Sequence, residues 1–318
     1  EFILLAAREL HGKDHAAAAP LILAGSIGFL FHAHEAQPML AALTAHTAAY
    51  WALALLPRRP RFAALVFATA MAVGFLANGL LPVLTLLPVT LIALWYSNNK
   101  TQAVAHLLLA GLLATLISGM WLLPLYLNAT DYFSQFLQSE LTSLTQPIQR
   151  ASNILRYFKL LLWYAWPALP LAAWALWAKR RVLNSKALAL PALAFIILML
   201  LLGLMIEIRS SVALLLLPPL VLLATPAVTS LRRGAANAFD WFGMMTFSAF
   251  ALIVWIGWSA MVFGWPERLA KQVVRLEPGF VGQFNLAACV FALCCTLIWF
   301  WLTATSPRSP MRGIMHWM

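Results

Sequence analysis

Apolar runs of roughly 17 to 25 residues recur from one end of this chain to the other, and they constrain its fold more than any other feature. A helix of that length crosses the ~30 Å hydrocarbon core of a bilayer. Charged residues make up only 10% of the sequence, against about a quarter in soluble domains. The sequence therefore predicts an all-α, polytopic membrane protein in which 1–318 form a single integral-membrane domain.

The apolar runs predict about ten transmembrane helices. Their expected bounds are 16–31, 38–56, 62–77, 80–96, 103–127, 157–178, 187–206, 212–230, 241–264 and 285–304. The segments at 1–10 and 314–318 resemble parts of further apolar helices, and no signal peptide opens the chain. We therefore expect a fragment that is cut at both ends.

The basic residues indicate a membrane topology. The 21 Lys and Arg residues fall in short clusters between the apolar runs, so membrane insertion explains the net charge of +11 better than a nucleic-acid partner does. Fourteen of them occupy alternate loops, which the positive-inside rule places in the cytoplasm. The loops predicted on the outer face are 32–38, the break at 78–79, 128–153, 207–211 and 265–284.

The segment HAHEAQP at 32–38 is the most polar short stretch between two apolar runs. Its carboxylate, Glu35, is a candidate catalytic residue because a carboxylate can take a proton from a reacting hydroxyl. Two alternatives stay open at this point. His32, His34 and Glu35 could bind a divalent metal, since imidazole and carboxylate suit zinc, or the segment could be a plain polar loop.

Further charged candidates lie in the other outer loops. Glu207 and Arg209 stand at the neck between two apolar runs, where a charge is costly unless it is paired or solvated. They are candidate substrate-binding residues or, alternatively, a surface pair beside a turn. Arg156 and Lys159 lie among aromatic residues at headgroup depth and serve either to anchor the chain or to bind a lipid phosphate. The spacing of apolar residues in 132–141 predicts a helix along the interface.

Four segments resemble a known family. They are LRYFKLLLWYAWPALPLAAWALW at 155–177, RSSVALLLLPPL at 209–220, DWFGMMTF at 240–247 and WIGW at 255–258. These resemble bacterial inner-membrane glycosyltransferases of the aminoarabinose-transferase and protein O-mannosyltransferase type, family 39 of the GT-C superfamily. The resemblance spans nearly the whole chain. It implies a GT-C-like fold that moves a sugar from a polyprenyl-phosphate donor to a lipid or protein acceptor on the periplasmic side.

The resemblance also implies roles for individual residues. Glu35 becomes the acidic residue of the second outer loop, with Gln37 directly before Pro38-Met39. Asn78 stands where the family tends to have the lysine of a Lys-Gly pair, and Arg209 matches a basic residue thought to hold the carrier phosphate. The family register places the first helix, the first periplasmic loop with the principal catalytic base, and a C-terminal part outside these 318 residues.

The partners expected from this interpretation are the polyprenyl-phosphate-linked sugar, the acceptor and membrane lipids, with no nucleic acid. The sequence identifies no definite cofactor, and a divalent metal is the one candidate. A transporter or flippase of lipid-linked glycans is the alternative, and it predicts paired repeats or charged residues at mid-membrane. The sequence shows neither, since His46 and His106 are the main ionisable groups inside spans. A noncatalytic GT-C-like membrane protein is the third possibility.

Overall fold

A computed structural model of the chain describes residues 1–145, 152–204, 210–231, 233–277 and 279–305. Within these ranges the regular structure is entirely helical. The helices are α1 (Phe2–His11), α2 (Lys13–Ala16), α3 (Ala18–Ala24), α4 (Ile27–His32), α5 (Pro38–Leu55), α6 (Pro60–Asn78), α7 (Leu80–Trp95), α8 (Lys100–Asn128), α9 (Thr130–Thr145), α10 (Ser152–Tyr164), α11 (Ala168–Ala178), α12 (Lys186–Leu204), α13 (Leu217–Ala224), α14 (Arg233–Phe263), α15 (Glu267–Leu276) and α16 (Leu286–Thr305). Short 3-10 turns at Arg180–Val182, Val212–Leu216 and Thr225–Ala227 complete them.

The helices form two compact units, Glu1–Ser230 and Leu231–Met318. The first contains α1 to α13 and most of the buried side chains. The second contains α14 to α16. That 1–318 act as a single integral-membrane domain stays a prediction.

Five of the ten predicted spans are single helices that are long and apolar enough to cross a membrane, counted over the residues that the structure describes. They are Pro60–Asn78, Lys100–Asn128, Lys186–Gly203, Ala236–Phe263 and Leu286–Thr305. The predicted span 157–178 adds a sixth if its two bent halves count as one. The protein is therefore a multi-span, all-α membrane protein by helix length and composition, and its described residues contain five or six clear spans where the sequence predicted about ten.

The bend in this sixth candidate span lies at 165–167, between the end of α10 and the start of α11. Ile154–Tyr164 and Ala168–Ala178 meet at 100°. Pro167 has no N–H to continue the hydrogen-bond ladder of α10, so the helix ends and a new one starts after it. The sequence predicted one span here, and the structure divides it into two helices that meet at a sharp bend.

The other four predicted spans are helical but short, broken or less apolar. The run 16–31 breaks into α2, α3 and α4, with Ser26 in an extended conformation after Gly25. The run 80–96 becomes α7, which has 16 residues. The run 212–230 combines 3-10 turns with the short α13. The 18 residues of α5 match the predicted 38–56, but three polar residues in its middle, Thr44, His46 and Thr47, dilute its hydropathy.

The centre of the first unit is an antiparallel hairpin of α5 and α6. Alanines dominate the buried face of both helices, which lets their backbones approach closely. A Cβ atom on Gly74 of α6 would lie 3.5 Å from Ala45 Cβ on α5 and 3.0 Å from Pro82 Cβ on α7. Because the two helices run in opposite directions, the start of α5 at Pro38 and the end of α6 at Asn78 lie at the same end of the hairpin.

One polar contact joins α5 to α7 within this apolar bundle. Fully buried His46 donates from Nδ1 to the Ala42 carbonyl oxygen at 2.9 Å. Its Nε2 lies 2.8 Å from Oγ1 of Thr85, which is also fully buried. The two helices therefore share a side-chain hydrogen bond well inside the bundle.

At the opposite end of the hairpin, basic residues that the charge pattern predicts to be cytoplasmic form hydrogen bonds and an ion pair. The Lys186 ammonium, at the start of α12, donates to the Leu53 and Ala54 carbonyl oxygens at 3.2 and 3.3 Å. It thereby neutralises the carbonyl-rich C-terminal end of α5. Arg58 pairs with Glu9 of α1 at 2.8 Å. All three charged residues belong to the same predicted face, so these contacts are consistent with the predicted topology.

The second unit is built on α14 and α16, with α15 between them in the chain. Indole N–H groups link the two long helices: Trp255 donates to Thr296 Oγ1 at 3.0 Å, and Trp299 donates to Ser248 Oγ at 3.2 Å. None of the residues of α15 or α16 is buried. Exposed apolar helices of this kind are suited to contact with lipid.

Candidate functional site

The polar segment at 32–38 forms a hydrogen-bonded cluster around Glu35, at the junction of α4 and α5. Glu35 Oε2 accepts from His32 Nδ1 at 2.7 Å and from Gln37 Nε2 at 2.9 Å. A carboxylate accepts only, so Nδ1 is the ring nitrogen that carries a proton. The backbone N–H of Glu35 also bonds to the His32 carbonyl at 3.1 Å. These bonds hold the carboxylate in one orientation.

The two partners leave part of the Glu35 carboxylate accessible. The Glu35 side chain is 42% exposed, and no residue in the described ranges donates to its second oxygen, Oε1. His34, two positions from His32, is exposed and does not join the cluster among the described contacts. A substrate hydroxyl could therefore reach Oε1 while Oε2 stays held by the protein.

The His32 ring is buried, with only 5% of the residue exposed. Its centroid lies 5.3 Å from that of Phe31 and 6.1 Å from that of Tyr164 on α10. Gly28 makes this arrangement possible, because a Cβ at that position would collide with the Tyr164 ring. In the described part of the chain no group bonds to the second ring nitrogen, Nε2. A buried nitrogen in that state retains the capacity for one more hydrogen bond.

Tyr164 connects this cluster to the segment that follows α12. Its hydroxyl donates to the Ser210 carbonyl oxygen at 2.7 Å. The backbone N–H of Ile27 bonds to the Trp166 carbonyl at 3.0 Å, which ties α4 to the turn between α10 and α11. Ser210 directly follows Arg209 in sequence. Arg209 and Glu207 themselves lie outside the described residues, so their roles stay predictions.

A second carboxylate, Glu140 of α9, lies at the break between α6 and α7. Its Oε2 accepts from the backbone N–H of Leu80, the first residue of α7, at 2.8 Å. Gly79 stands directly before it with φ +62°, and a Cβ there would collide with the Glu140 carboxylate. Half-buried Asn78 precedes Gly79. The sequence predicted a helix at 132–141, which α9 confirms, but not the role of Glu140.

The two carboxylates stand at the same end of the α5–α6 hairpin. Glu35 and Gln37 precede the first residue of α5, whereas Glu140 contacts the residues that follow the last residue of α6. All of them belong to loops that the charge pattern predicts on the outer face. We call His32, Glu35, Gln37, Gly79 and Glu140 the outer-end cluster.

Arg156 and Lys159 are not brought to this cluster. Both are exposed on α10, whereas Tyr157, Leu161 and Tyr164 form the buried face of that helix. Neither basic side chain forms an ion pair or hydrogen bond with another residue in the described ranges. Their exposure suits either of the roles predicted for them, as bilayer anchors or as ligands of a lipid phosphate.

The described residues do not assemble a set of metal ligands. No group of three or more His, Cys, Asp or Glu side chains within them is arranged to hold an ion. His32 and Glu35 are in contact, but His34 does not complete a triad with them. A divalent metal at this site therefore stays a prediction.

The fold is similar to that of ArnT from Cupriavidus metallidurans, in a crystal structure bound to undecaprenyl phosphate. The two superpose with a TM-score of 0.68 over 99% of this chain, at 16% sequence identity. The chain spans 57% of the length of that protein. No family model and no curated protein matches the sequence. The shared feature is thus the fold, an ArnT-like arrangement of membrane helices.

Proposed function

We propose that this protein is a membrane glycosyltransferase that moves a sugar from a polyprenyl-phosphate donor to a lipid or protein acceptor. The observation that carries the proposal is the ArnT-like fold, which extends over 99% of the chain and belongs to a protein crystallised with undecaprenyl phosphate. The local chemistry is compatible with it, because an oriented and accessible carboxylate stands at one end of the central helices.

Glu35 is proposed as a supporting active-site carboxylate, since the family resemblance places the principal catalytic base outside these 318 residues. In the transfer step, an acceptor hydroxyl oxygen forms a bond to the anomeric carbon of the sugar. The bond between that carbon and the phosphate oxygen breaks, and the lipid phosphate leaves with the bonding electrons. The hydroxyl proton passes to a carboxylate oxygen. Oε1 of Glu35 is suited to assist the principal base in this step, since His32 and Gln37 fix the other oxygen and so orient the group.

The lipid phosphate needs positive charge and hydrogen-bond donors around it. Arg209, with Arg156 and Lys159 as further cations, is proposed for that role, and Asn78 and Gln37 supply amide donors. Glu207 is proposed to orient Arg209. Support for Arg209 comes from Ser210, its neighbour in sequence, whose carbonyl is bonded to Tyr164 beside His32.

We propose that the protein lies in the bacterial inner membrane as a multi-pass protein with its active face toward the periplasm. Two observations support this orientation. Most basic residues fall in loops of the opposite face. In addition, the contacts of Lys186, Arg58 and Glu9 gather at one end of the bundle, whereas Glu35 and Glu140 stand at the other.

The test is transfer of labelled sugar from a polyprenyl-phosphate donor by the intact protein in proteoliposomes. We expect Glu35→Gln to lower the transfer rate by about 100-fold, the lower end of the range for a residue that takes part in proton transfer. Arg209→Ala is expected to weaken donor binding as well as transfer. Asp131→Asn is the matched control, because Asp131 is an exposed carboxylate in the same predicted outer loop system.

The outcomes separate the alternatives. Undiminished transfer in both Glu35→Gln and Arg209→Ala would refute the proposed site. A wild-type protein that transfers no sugar but moves a fluorescent lipid-linked glycan between leaflets would refute the enzyme and support the flippase. A protein with neither activity would support a noncatalytic membrane protein.

A further inference from the structure

Helix α15 has two faces of opposite chemistry. The polar arc consists of Glu267, Lys271, Arg275, Arg268 and Gln272, which recur at helical spacing. The apolar arc consists of Leu269, Ala270, Val273, Val274 and Leu276. The division is complete over all ten residues, so every side chain of the helix lies on the arc that matches its polarity.

The apolar arc of α15 has no protein cover sufficient to bury it. Leu276 is 86% exposed, Val274 is 55% exposed and Leu269 is 38% exposed. None of the residues of the helix is buried. An amphipathic helix with an uncovered apolar face needs an apolar environment on that side and water on the other.

The position of α15 in the chain supplies such an environment. It follows α14 and precedes α16, both of which are long and apolar enough to cross a membrane. Only 264–266 link it to α14 and 277–285 link it to α16. The helix is thereby tethered at both ends to the membrane ends of two spans, and it lies within reach of the bilayer surface.

Aromatic side chains at and near the two segments that link α15 to α14 and α16 indicate how deep these segments lie in the membrane. Trp258, Phe263 and Phe284 form a cluster with ring centroids 5.3 to 6.3 Å apart. Trp265, beside α15, is exposed, and its carbonyl accepts from Ser259 Oγ at 2.6 Å. Trp and aromatic belts are typical of the headgroup level of membranes. The two ends of α15 are therefore held at the depth where lipid headgroups lie.

The polar arc is cationic. It carries Arg268, Lys271 and Arg275 against one acidic residue, Glu267, and it stays cationic even with Glu277 directly after the helix. Lys271 lies 3.3 Å from Glu267, and both side chains are largely exposed, so this pair is screened by water and leaves Lys271 able to interact elsewhere. Charge complementarity thus favours an anionic surface over a zwitterionic one.

We infer that α15 is a binding helix for anionic phospholipids, which lies in the membrane interface with its apolar arc among the acyl chains and its cations on the lipid phosphates. This role is independent of the proposed transferase activity, because α15 contains none of the residues assigned to it. The helix would fix the end of the α14–α16 hairpin to a membrane surface of defined charge.

The experiment uses the intact protein in nanodiscs of phosphatidylcholine alone or mixed with phosphatidylglycerol. Nitroxide labels are placed at Leu269→Cys, on the apolar arc, and at Gln272→Cys, on the polar arc, with Cys289, Cys294 and Cys295 replaced by alanine. Collision of each label with oxygen, which concentrates in lipid, is compared with collision with a water-soluble nickel chelate. We expect the label at 269 to favour oxygen and the label at 272 to favour nickel, with a larger difference in the anionic discs.

The charge requirement is tested with Arg268→Gln/Lys271→Gln/Arg275→Gln. We expect this triple variant to lose the dependence on anionic lipid. Lys179→Gln/Arg180→Gln/Arg181→Gln removes the same charge from a loop of the opposite predicted face and should leave the dependence unchanged. In the wild type, salt should reduce the effect, because the screening length falls from about 10 Å at 0.1 M to about 3 Å at 1 M.

Several results would overturn the inference. Equal collision ratios at positions 269 and 272 would mean that α15 does not lie in the interface. A preference for oxygen at 269 that is unaffected by lipid charge and by salt would mean that the cations bind no lipid. If the triple variant does not fold, the single variant Arg275→Gln and the salt series on the wild type test the same point. A label at 269 that is accessible to water in both discs would indicate a protein partner for the apolar arc.

Discussion

The two ends of α5 differ in how completely the chain satisfies its own polar groups. At the C-terminal end, the Lys186 ammonium donates to two free carbonyl oxygens, and Arg58 pairs with Glu9 nearby. Beyond the N-terminal end, Glu35 is held through one oxygen, while the buried Nε2 of His32 has no described partner. Completed contacts stabilise the fold, whereas an oriented group with spare hydrogen-bonding capacity is available to a ligand.

The largest expected effect is at the outer end, from Gly79→Ala. The new Cβ collides with the Glu140 carboxylate, and Gly79 has φ +62°, where a side chain is strained. Displacing a carboxylate at the same end of the hairpin as Glu35 should lower the transfer rate by about 100-fold, since a misplacement of ~1 Å has that order of effect. The measurement is the proteoliposome transfer assay.

Gly264→Ala is the matched control for this change. Gly264 has φ +72°, but nothing lies within 4 Å of the position that a Cβ would take. It therefore imposes similar backbone strain without a collision. If both variants lose transfer to the same extent, strain alone explains the loss, and Glu140 has no special place in the outer-end cluster.

The intermediate effect is expected from Lys186→Met, at the inner end of the hairpin. This is the predicted cytoplasmic end, where Lys186 contacts the C-terminus of α5. This change removes two charge-assisted hydrogen bonds and leaves the Leu53 and Ala54 carbonyls without a donor. We expect a loss of about 2 kcal/mol in stability, within the range for hydrogen bonds to charged groups. Thermal unfolding in detergent measures it, and Lys13→Met, at an exposed lysine, should change the midpoint little. A loss of transfer without a loss of stability would contradict the contrast between the two ends.

The smallest effect is expected for the ion pair of Arg58 with Glu9. The Arg58 side chain is 72% exposed, so water and salt screen the pair. A double-mutant cycle with Arg58→Ala and Glu9→Gln should give a coupling free energy of about 0.2 to 1 kcal/mol that decreases with added salt. A salt-independent coupling of several times that size would mean that this pair, and not Lys186, contributes most of the stability at the inner end of the hairpin.

The bounds of most helices were predictable, because the length of each apolar run in the sequence sets the length of the helix. The predicted 62–77 became Pro60–Asn78, and 285–304 became Leu286–Thr305. Breaks within runs were harder to predict, because Gly25 and Pro167 are tolerated inside membrane helices as well as at their ends. Which outcome results depends on neighbouring helices. The same limit explains why 157–178 was predicted as a single span without the position or size of its bend.

The site shows the same division between local and distant contacts. His32, Glu35 and Gln37 lie within six residues of one another, so their proximity follows from the sequence alone. Glu140 contacts Leu80, 60 residues away, and no periodicity indicates that bond. The one available signal was an acidic residue within an amphipathic segment. The role of the Asn78 side chain stays a prediction, whereas the contact of Gly79 with Glu140 was not predicted.

The bond between His46 and Thr85 also has a consequence for how accurately the two helices are aligned. Contacts between apolar side chains alone fix the axial offset of two helices less strictly, because neighbouring turns offer similar apolar surfaces. A single buried hydrogen bond between α5 and α7 is satisfied at only one axial offset. Sliding α5 along α7 would break this hydrogen bond, so the bond opposes such a movement. Through it, two buried polar atoms fix the axial offset between the start of α5, which follows Glu35, and the start of α7.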